Sequence, residues 1–271
     1  MRVLNVVKNL ILAIILLYSS FPIIWAFLIS LKPTLEITAY PPSLIFTPTL
    51  ENYVKAVYHE HFFDYLKNSI IVTIGAVSLI ILFALPTSYG LYRFKFRLRK
   101  ALTIFILFSR MILPVTVAIP FFVIFKELNL INTYTAIILM ETVVHLPMAI
   151  WLIGSYLIMI PLEVEEAAMV DGTSRFGAFL RITLPLLMSS LVPIAILSFI
   201  FIWNSLLFPL ILSGPQTKTL IVAIQGYIGY EDVDWGALCA TAILTALPIM
   251  ILALLIQKYL IKGFTPEVMK G

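Results

Sequence analysis

A polar segment between Pro161 and Pro185 interrupts a chain that is otherwise built of apolar runs. Proline favours the first turn of a helix, and carboxylates near that turn interact favourably with the helix dipole. The carboxylates of this segment are Glu163, Glu165, Glu166 and Asp171. Gly172 can end such a helix in a left-handed conformation. The pattern therefore predicts a short helix over 162–171, followed by a glycine turn.

The second half of the segment predicts another short helix. Thr173 or Ser174 can accept a hydrogen bond from the free backbone N–H groups at its start. Because the residue before a proline avoids the helical conformation, this helix is expected to stop before Leu184-Pro185. Residues 161–184 are therefore predicted to form a helix–turn–helix hairpin.

Two alanines give one side of the first predicted helix only small side chains. Ala167 and Ala168 would let another protein surface approach closely, and Glu166 beside them could orient the contact. Such a hairpin can dock into a partner as a plug. An ordinary amphipathic connector between two other segments is the alternative interpretation.

Charged residues inside apolar runs form a second candidate group. A charge at the centre of a bilayer costs about 2.5–3.5 kcal/mol on insertion scales, so Arg110 and Glu141 should face protein or water. In straight helices, which rise about 1.5 Å per residue, the two lie within about one turn in depth. A buried ion pair is the favoured interpretation, and substrate contact is the alternative. His145, on the same helix face as Glu141, could line this polar strip or be a core histidine.

Trp203 and Asn204 could serve a sugar, because sugar sites combine an aromatic face with hydrogen-bonding amides or hydroxyls. Both residues fall in an apolar run. Packing by the tryptophan and an interhelical hydrogen bond from the asparagine explain the pair equally well. They are kept as candidates for a translocation pathway.

Motifs for enzymatic chemistry are missing from the sequence. It has no GxxxxGK[ST] loop to hold nucleotide phosphates, no HExxH, no GxSxG and no Cys/His cluster with metal-ligand spacing. No basic stripe interleaved with aromatics points to nucleic acid. The chain is therefore expected to be neither an enzyme nor a metal or nucleic-acid binder, and any ATP must be handled by a partner.

The composition places the chain in a bilayer. Of its 271 residues, 61% are hydrophobic and 12% are charged, far from the balance of globular domains. A helix needs about 20 apolar residues to cross a membrane. The stretches that meet this length are approximately 10–31, 69–92, 101–125, 133–160, 185–212 and 236–261. The sequence predicts an all-α, multi-pass membrane protein with six spans in a single domain, 1–271.

The positions of lysine and arginine predict the orientation. With the N-terminus inside, twelve of these residues flank the inner ends of the spans and five flank the outer ends. The positive-inside rule then places both termini and the 161–184 hairpin in the cytoplasm, with the chain in the cell membrane.

The hairpin resembles the EAA loop of binding-protein-dependent ABC importer permeases. The matching residues are Glu166, Ala167, Ala168, Gly172, Ile182, Leu184 and Pro185. The resemblance implies the type I importer permease fold and a coupling helix, with Glu165 and Asp171 included, that docks into a cleft on an ATP-hydrolysing subunit. The implied partners are a second permease, two ATPase subunits that bind ATP and Mg²⁺, an extracytoplasmic solute-binding protein and membrane lipid.

The resemblance covers nearly the whole chain and points to carbohydrate-uptake permeases of the maltose-transporter type. The supporting matches are Asn52-Tyr53, Asn68-Ser69, residues 89–94, Pro114, Pro120 and Trp203-Asn204. It implies import of an oligosaccharide, a disaccharide or a related polyol. A stand-alone transporter or channel that uses Arg110, Glu141 and His145 as a relay is the alternative, and it would work without nucleotide.

Overall fold

The computed structural model describes residues 2–41, 43, 45–59, 61–229 and 232–264. Within these ranges the regular structure is helical, apart from one isolated antiparallel bridge between Ile228 and Val233. The α-helices are α1 (Arg2–Ser30), α2 (Thr34–Ile37), α3 (Glu51–Val54), α4 (Phe62–Arg93), α5 (Arg99–Ser109), α6 (Pro114–Glu127), α7 (Tyr134–Met159), α8 (Leu162–Val170), α9 (Arg175–Ala178), α10 (Leu184–Trp203), α11 (Leu207–Leu212), α12 (Leu220–Ile224) and α13 (Trp235–Phe264). The prediction of an all-α protein is confirmed.

Five helical segments of the described residues are long and apolar enough to cross a membrane. They are Val7–Ser30, Phe62–Arg93, Tyr134–Met159, Arg175–Trp203 and Trp235–Leu254. A sixth crossing results only if α5 and α6 count together as one span. Several apolar spans are thus confirmed, whereas the count of six and the cytoplasmic position of both termini stay predictions.

The third predicted span, 101–125, is broken into two helices, so whether this stretch crosses the membrane as one span stays a prediction. Helix α5 ends at Ser109, α6 starts at Pro114, and the two helices are bent by 94°. Proline has no N–H to bond the carbonyl four residues earlier, here that of Arg110, and its ring clashes with that carbonyl in a helix. The chain therefore leaves the helical conformation between Ser109 and Pro114.

The fifth predicted span, 185–212, is also interrupted. Helix α10 ends at Trp203, and the short helix α11 begins only at Leu207. Pro209 cannot donate to the carbonyl of Ser205, which removes one bond that a continuous helix would need there.

The chain divides into two compact units, one of residues 1–66 with 222–248 and the other of residues 67–221 with 249–271. The single domain expected from the sequence stays a prediction. In the first unit, the buried amide of Asn52 donates to the carbonyls of Ser30 (3.0 Å) and Lys32 (2.8 Å), which joins α3 to the end of α1.

An ion pair in the first unit joins Lys55 to Asp234, just before α13. Burial by itself would raise the pKa of the Asp234 carboxyl. The hydrogen bonds from Lys55 and from the backbone of Ala237, with the charge of Lys55, outweigh burial and lower that pKa. The carboxylate is therefore held in its ionised form at the start of α13.

The second unit has its core between α4, α7 and α10. The fully buried apolar side chains include Ile80, Ile137, Ile153, Leu157 and Leu187. The hydroxyl of Ser88 on α4 donates to the carbonyl of Ile150 on α7 at 2.8 Å. Gly154 lets the same two helices approach closely, because a Cβ atom at this position would overlap the ring of Tyr92.

We expect Gly154→Ala to destabilise the protein, because the added methyl group must displace the Tyr92 ring and overpacking costs about 1–3 kcal/mol. Gly90→Ala is the matched control, since Gly90 lies in α4 with open space around it and alanine favours a helix. The measurement is the Tm of the purified protein in detergent. Equal Tm values for Gly154→Ala and wild type would contradict the close packing of α4 on α7.

Candidate functional site

The polar segment folds as a hairpin between the spans α7 and α10. Helix α8 covers Leu162–Val170, and Gly172 follows with φ +90°. This is the left-handed conformation that glycine adopts without a steric cost. The predicted helix over 162–171 and its glycine turn are therefore confirmed to within one residue.

Ser174 rather than Thr173 caps the second helix of the hairpin. The Ser174 hydroxyl accepts from the Gly177 amide at 3.1 Å. The Thr173 hydroxyl instead donates to the carbonyl of Ala168 at 2.6 Å. The turn is thus closed by a side-chain hydrogen bond on each side.

The prediction that the second helix stops before Leu184-Pro185 is wrong. Helix α9 continues through a π-helical turn, Phe179–Thr183, directly into α10. Pro185 has no N–H for a regular helical bond, and a π turn changes the bonding partners just ahead of it. The hairpin is therefore joined to a span by continuous helix.

Glu165 anchors the hairpin to the rest of the second unit. Its residue is 2% exposed, and its carboxylate accepts from the hydroxyls of Tyr89 and Thr183, each at 2.8 Å. The guanidinium Nε of Arg93 lies 2.8 Å from Oε1 of the same carboxylate. A buried charge requires both a counter-charge and hydrogen bonds, and the end of α4 together with the π turn supplies them.

Arg93 extends this anchor to the end of α7. Its terminal nitrogen donates to the carbonyl of Ile160 at 2.9 Å, in the residue that follows α7. One arginine therefore ties the end of α4 both to the hairpin and to the end of α7.

Aromatic side chains surround the anchor. The ring centroids of Tyr89 and Phe179 are 4.5 Å apart, and those of Tyr89 and Phe94 are 5.8 Å apart. The guanidinium of Arg175 lies 5.1 Å from the Phe94 ring centroid, within the range of a cation–π interaction. These contacts exclude water from the polar anchor, which strengthens its electrostatic interactions.

The opposite side of the hairpin is open to solvent. Glu166, Ala167, Asp171 and Gly172 are exposed, and Ala168 is half-buried. Two large apolar side chains of the hairpin are also exposed: Val170 is 87% exposed and Phe176 is 69% exposed. Of the other residues of the EAA pattern, Ile182 and Leu184 are half-buried and Pro185 is exposed.

The expected ion pair between Arg110 and Glu141 is not formed, and its prediction is wrong. The Arg110 guanidinium donates to the carbonyl of Val144 at 3.2 Å and contacts the sulfur of Met148 at 3.7 Å. The fully buried Glu141 carboxylate lies 3.3 Å from Nε2 of His145 instead. The depth argument assumed straight helices, and the 94° bend after α5 removes that assumption.

The other two pathway candidates do not share one surface. Trp203 is buried and stacks on Phe199, with ring centroids 5.3 Å apart. Asn204 is exposed at the end of α10, and its amide donates to the carbonyl of Ile200 at 2.8 Å. The packing interpretation therefore accounts for Trp203, and Asn204 caps the helix.

Sequence reasoning missed four side chains at these sites. Tyr89, Arg93 and Thr183 bind the Glu165 carboxylate, and Phe201 lies between Arg110 and His145. Tyr89 and Arg93 lie within the matched segment 89–94, which was a signal for their importance. No sequence signal indicated Thr183 or Phe201.

The helices and this hairpin define a class, a multi-pass helical membrane protein with an anchored polar hairpin between two spans. Residues 76–266 match the family described as binding-protein-dependent transport system inner membrane components, and the chain belongs to that family. It is therefore a transport permease of the inner membrane, as the EAA pattern predicted.

Two relatives and one solved structure illustrate the relationship. The trehalose/maltose transport system permease protein of Thermococcus litoralis is 33% identical over 278 residues, covering 100% of this chain and 97% of that protein. The sulfoquinovosyl glycerol transport system permease protein of Agrobacterium fabrum is 33% identical over 261 residues, covering 96% and 92%. The fold is similar to that of a bacterial ABC transporter involved in alginate import, with a TM-score of 0.77, 21% identity and 97% of each chain covered.

We expect Glu165→Ala to destabilise the protein strongly, because removal of one partner of a buried ion pair costs about 3–5 kcal/mol. Glu166→Ala is the matched control. Glu166 is exposed and adjacent, so its removal should change stability by about 0.5 kcal/mol or less. The measurement is the Tm of each purified variant in detergent.

The double variant Glu165→Ala with Arg93→Ala tests the pairing itself. Since removing both charges leaves none uncompensated, the double variant should melt well above the temperature expected from adding the two single effects. Additive effects of the two substitutions would show that Glu165 and Arg93 do not stabilise each other.

Proposed function

We propose that this chain is the membrane-spanning permease subunit of an ATP-binding-cassette importer that carries a carbohydrate delivered by an extracytoplasmic solute-binding protein. The observation that carries the proposal is the two-sided hairpin. Glu165 fixes its inner side to α4, while Glu166 and Ala167 are exposed on its outer side. A segment that is rigidly held on one side and free on the other is suited to receive force from a partner.

The names of the relatives support the class of substrate. Two of the permeases that align over more than nine-tenths of this chain are named for trehalose/maltose and for sulfoquinovosyl glycerol, all of which are carbohydrates or contain one. A disaccharide, an oligosaccharide or a related polyol is accordingly the proposed cargo.

The proposed assembly contains a second permease, two ATPase subunits and the solute-binding protein. ATP and Mg²⁺ are bound by the ATPase subunits, and this chain holds no cofactor. The α5–α6 pair counts as one of six spans, and both termini and the hairpin face the cytoplasm, where ATP is available. The excess of basic residues on that side supports this orientation.

The proposed mechanism is a rigid-body movement. ATP-driven closure of the ATPase subunits displaces the docked hairpin. Helix α9 runs through the π turn into α10, and Arg93 pairs with Glu165 and donates a hydrogen bond to the Ile160 carbonyl. The displacement therefore reaches α10, α4 and the end of α7 together. Rocking of these spans switches the pathway between its inward-open and outward-open forms.

The variant Ala167→Trp tests the docking face. Ala167 is exposed, so a large side chain there is tolerated by the permease fold but obstructs close approach of a partner. We expect binding of the ATPase subunits to weaken at least about tenfold, which corresponds to about 1.4 kcal/mol. Substrate-stimulated ATP hydrolysis by the reconstituted complex should fall with it.

Leu35→Trp is the control, because Leu35 is 89% exposed in α2 and lies between the first two predicted spans, 10–31 and 69–92, on the side opposite the hairpin in the proposed orientation. It should copurify with the ATPase subunits as wild type does. Normal assembly and normal stimulation in Ala167→Trp would rule out the docking role of this face. Transport by the chain in vesicles without nucleotide would favour the stand-alone transporter instead.

A further inference from the structure

A cavity of about 470 Å³ lies where α5 and α6 are bent apart and α7 passes beside them. Its lining is largely apolar and includes Val117, Phe121 and Met140. Arg110 from the break and His145 from α7 bring polar groups to this lining, which contains no carboxylate. The volume is large enough for a sugar-sized ligand.

The Arg110 side chain has capacity to bind a ligand. A guanidinium carries five N–H donors. In Arg110 one nitrogen donates to the Val144 carbonyl and another contacts the Met148 sulfur. No aspartate or glutamate in the described part of the chain lies within ion-pair distance of it. The residue is exposed, so its remaining donors are accessible.

The acidic residue of α7 does not supply the missing counter-charge. Glu141 is fully buried, its carboxylate lies 3.3 Å from Nε2 of His145, and it is not among the residues that line the cavity. Among the lining residues, Arg110 is the only arginine, and no lysine, aspartate or glutamate accompanies it.

The aromatic ring of Phe201 lies near both Arg110 and His145. The Phe201 centroid lies 5.9 Å from the Arg110 guanidinium carbon and 5.9 Å from the His145 ring centroid. The imidazole and phenyl rings are nearly parallel, at 14°. Phe201 is 40% exposed, so part of its surface is accessible beside the guanidinium.

We propose that this cavity is a binding subsite for the negatively charged group of an acidic carbohydrate, a carboxylate or a sulfonate. Arg110 binds the anion through its free N–H groups, and the apolar residues of the lining, such as Val117 and Phe121, surround the bound sugar. The inference rests on the proposed carbohydrate import and narrows its substrate class. It also gives the Arg110 guanidinium, which has no acidic partner within this chain's described residues, an anionic ligand.

Two physical reasons favour an anion over a neutral sugar. A planar guanidinium matches a carboxylate with two parallel hydrogen bonds, which are roughly twice as strong as neutral ones. The apolar lining also lowers the local dielectric constant and strengthens the attraction between opposite charges. A hydroxyl group gains much less from either effect.

The test uses digalacturonate and its dimethyl ester, which differ in charge but hardly in shape. Binding of each is measured by equilibrium dialysis on the full importer complex in lipid nanodiscs. We expect wild type to bind the acid about tenfold more tightly than the ester, and Arg110→Met to lose this preference. Arg110→Lys should keep part of it, because the charge remains while the two-point geometry is lost.

Arg97→Met is the matched control, because it removes an exposed arginine outside the cavity. It should retain the wild-type preference for the acid. Equal affinity of wild type for acid and ester, or an undiminished preference in Arg110→Met, would overturn the subsite. Failure of Arg110→Met to assemble, with rescue by Arg110→Lys, would also overturn it by assigning Arg110 to an ion pair with the second permease.

The two proposals fail in different ways. ATP-dependent uptake of neutral sugars without any preference for the acid would remove the anionic subsite and leave the carbohydrate importer intact. Absence of ATP-dependent uptake for every sugar, acidic or neutral, would contradict the importer itself.

Discussion

The buried carboxylate of Glu165 is the constraint on which the hairpin depends. Its charge has left water, so it must be met by Arg93, Tyr89 and Thr183 from two other segments of the chain. This requirement fixes how α8 lies against α4 and against the start of α10. The exposure of Ala167 and the partial exposure of Ala168 follow from it, because a short helix that turns one side inward presents the other to solvent.

Much of this arrangement could be predicted from the sequence because the signals are local. Apolar length indicated the spans, and proline, glycine and clustered carboxylates indicated a hairpin with correct limits for its first helix. The sequence could not show which of two adjacent glutamates turns inward. That choice depends on Arg93 and Tyr89, more than seventy residues away in sequence, and only the folded chain brings them together.

Backbone hydrogen bonding changes helices that hydropathy alone treats as uniform. The run 101–125 is long and largely apolar, so its length predicted a span, yet Pro114 removes a bond and the chain bends by 94°. Near Pro185 the outcome is the reverse, since a π turn accommodates the proline and the helix continues. Proline marks a place where a helix must change, but the surrounding packing decides whether it breaks or adapts.

The neighbouring residues Glu165 and Glu166 are constrained by different surroundings. The first is tied to the scaffold of its own chain, whereas the second meets only solvent in the isolated subunit. Substitutions on the outward side can therefore accumulate without loss of folding. Under the proposed docking role, changes at a few surface positions would match the permease to a different ATPase subunit, while the buried contacts of Glu165 stay the same.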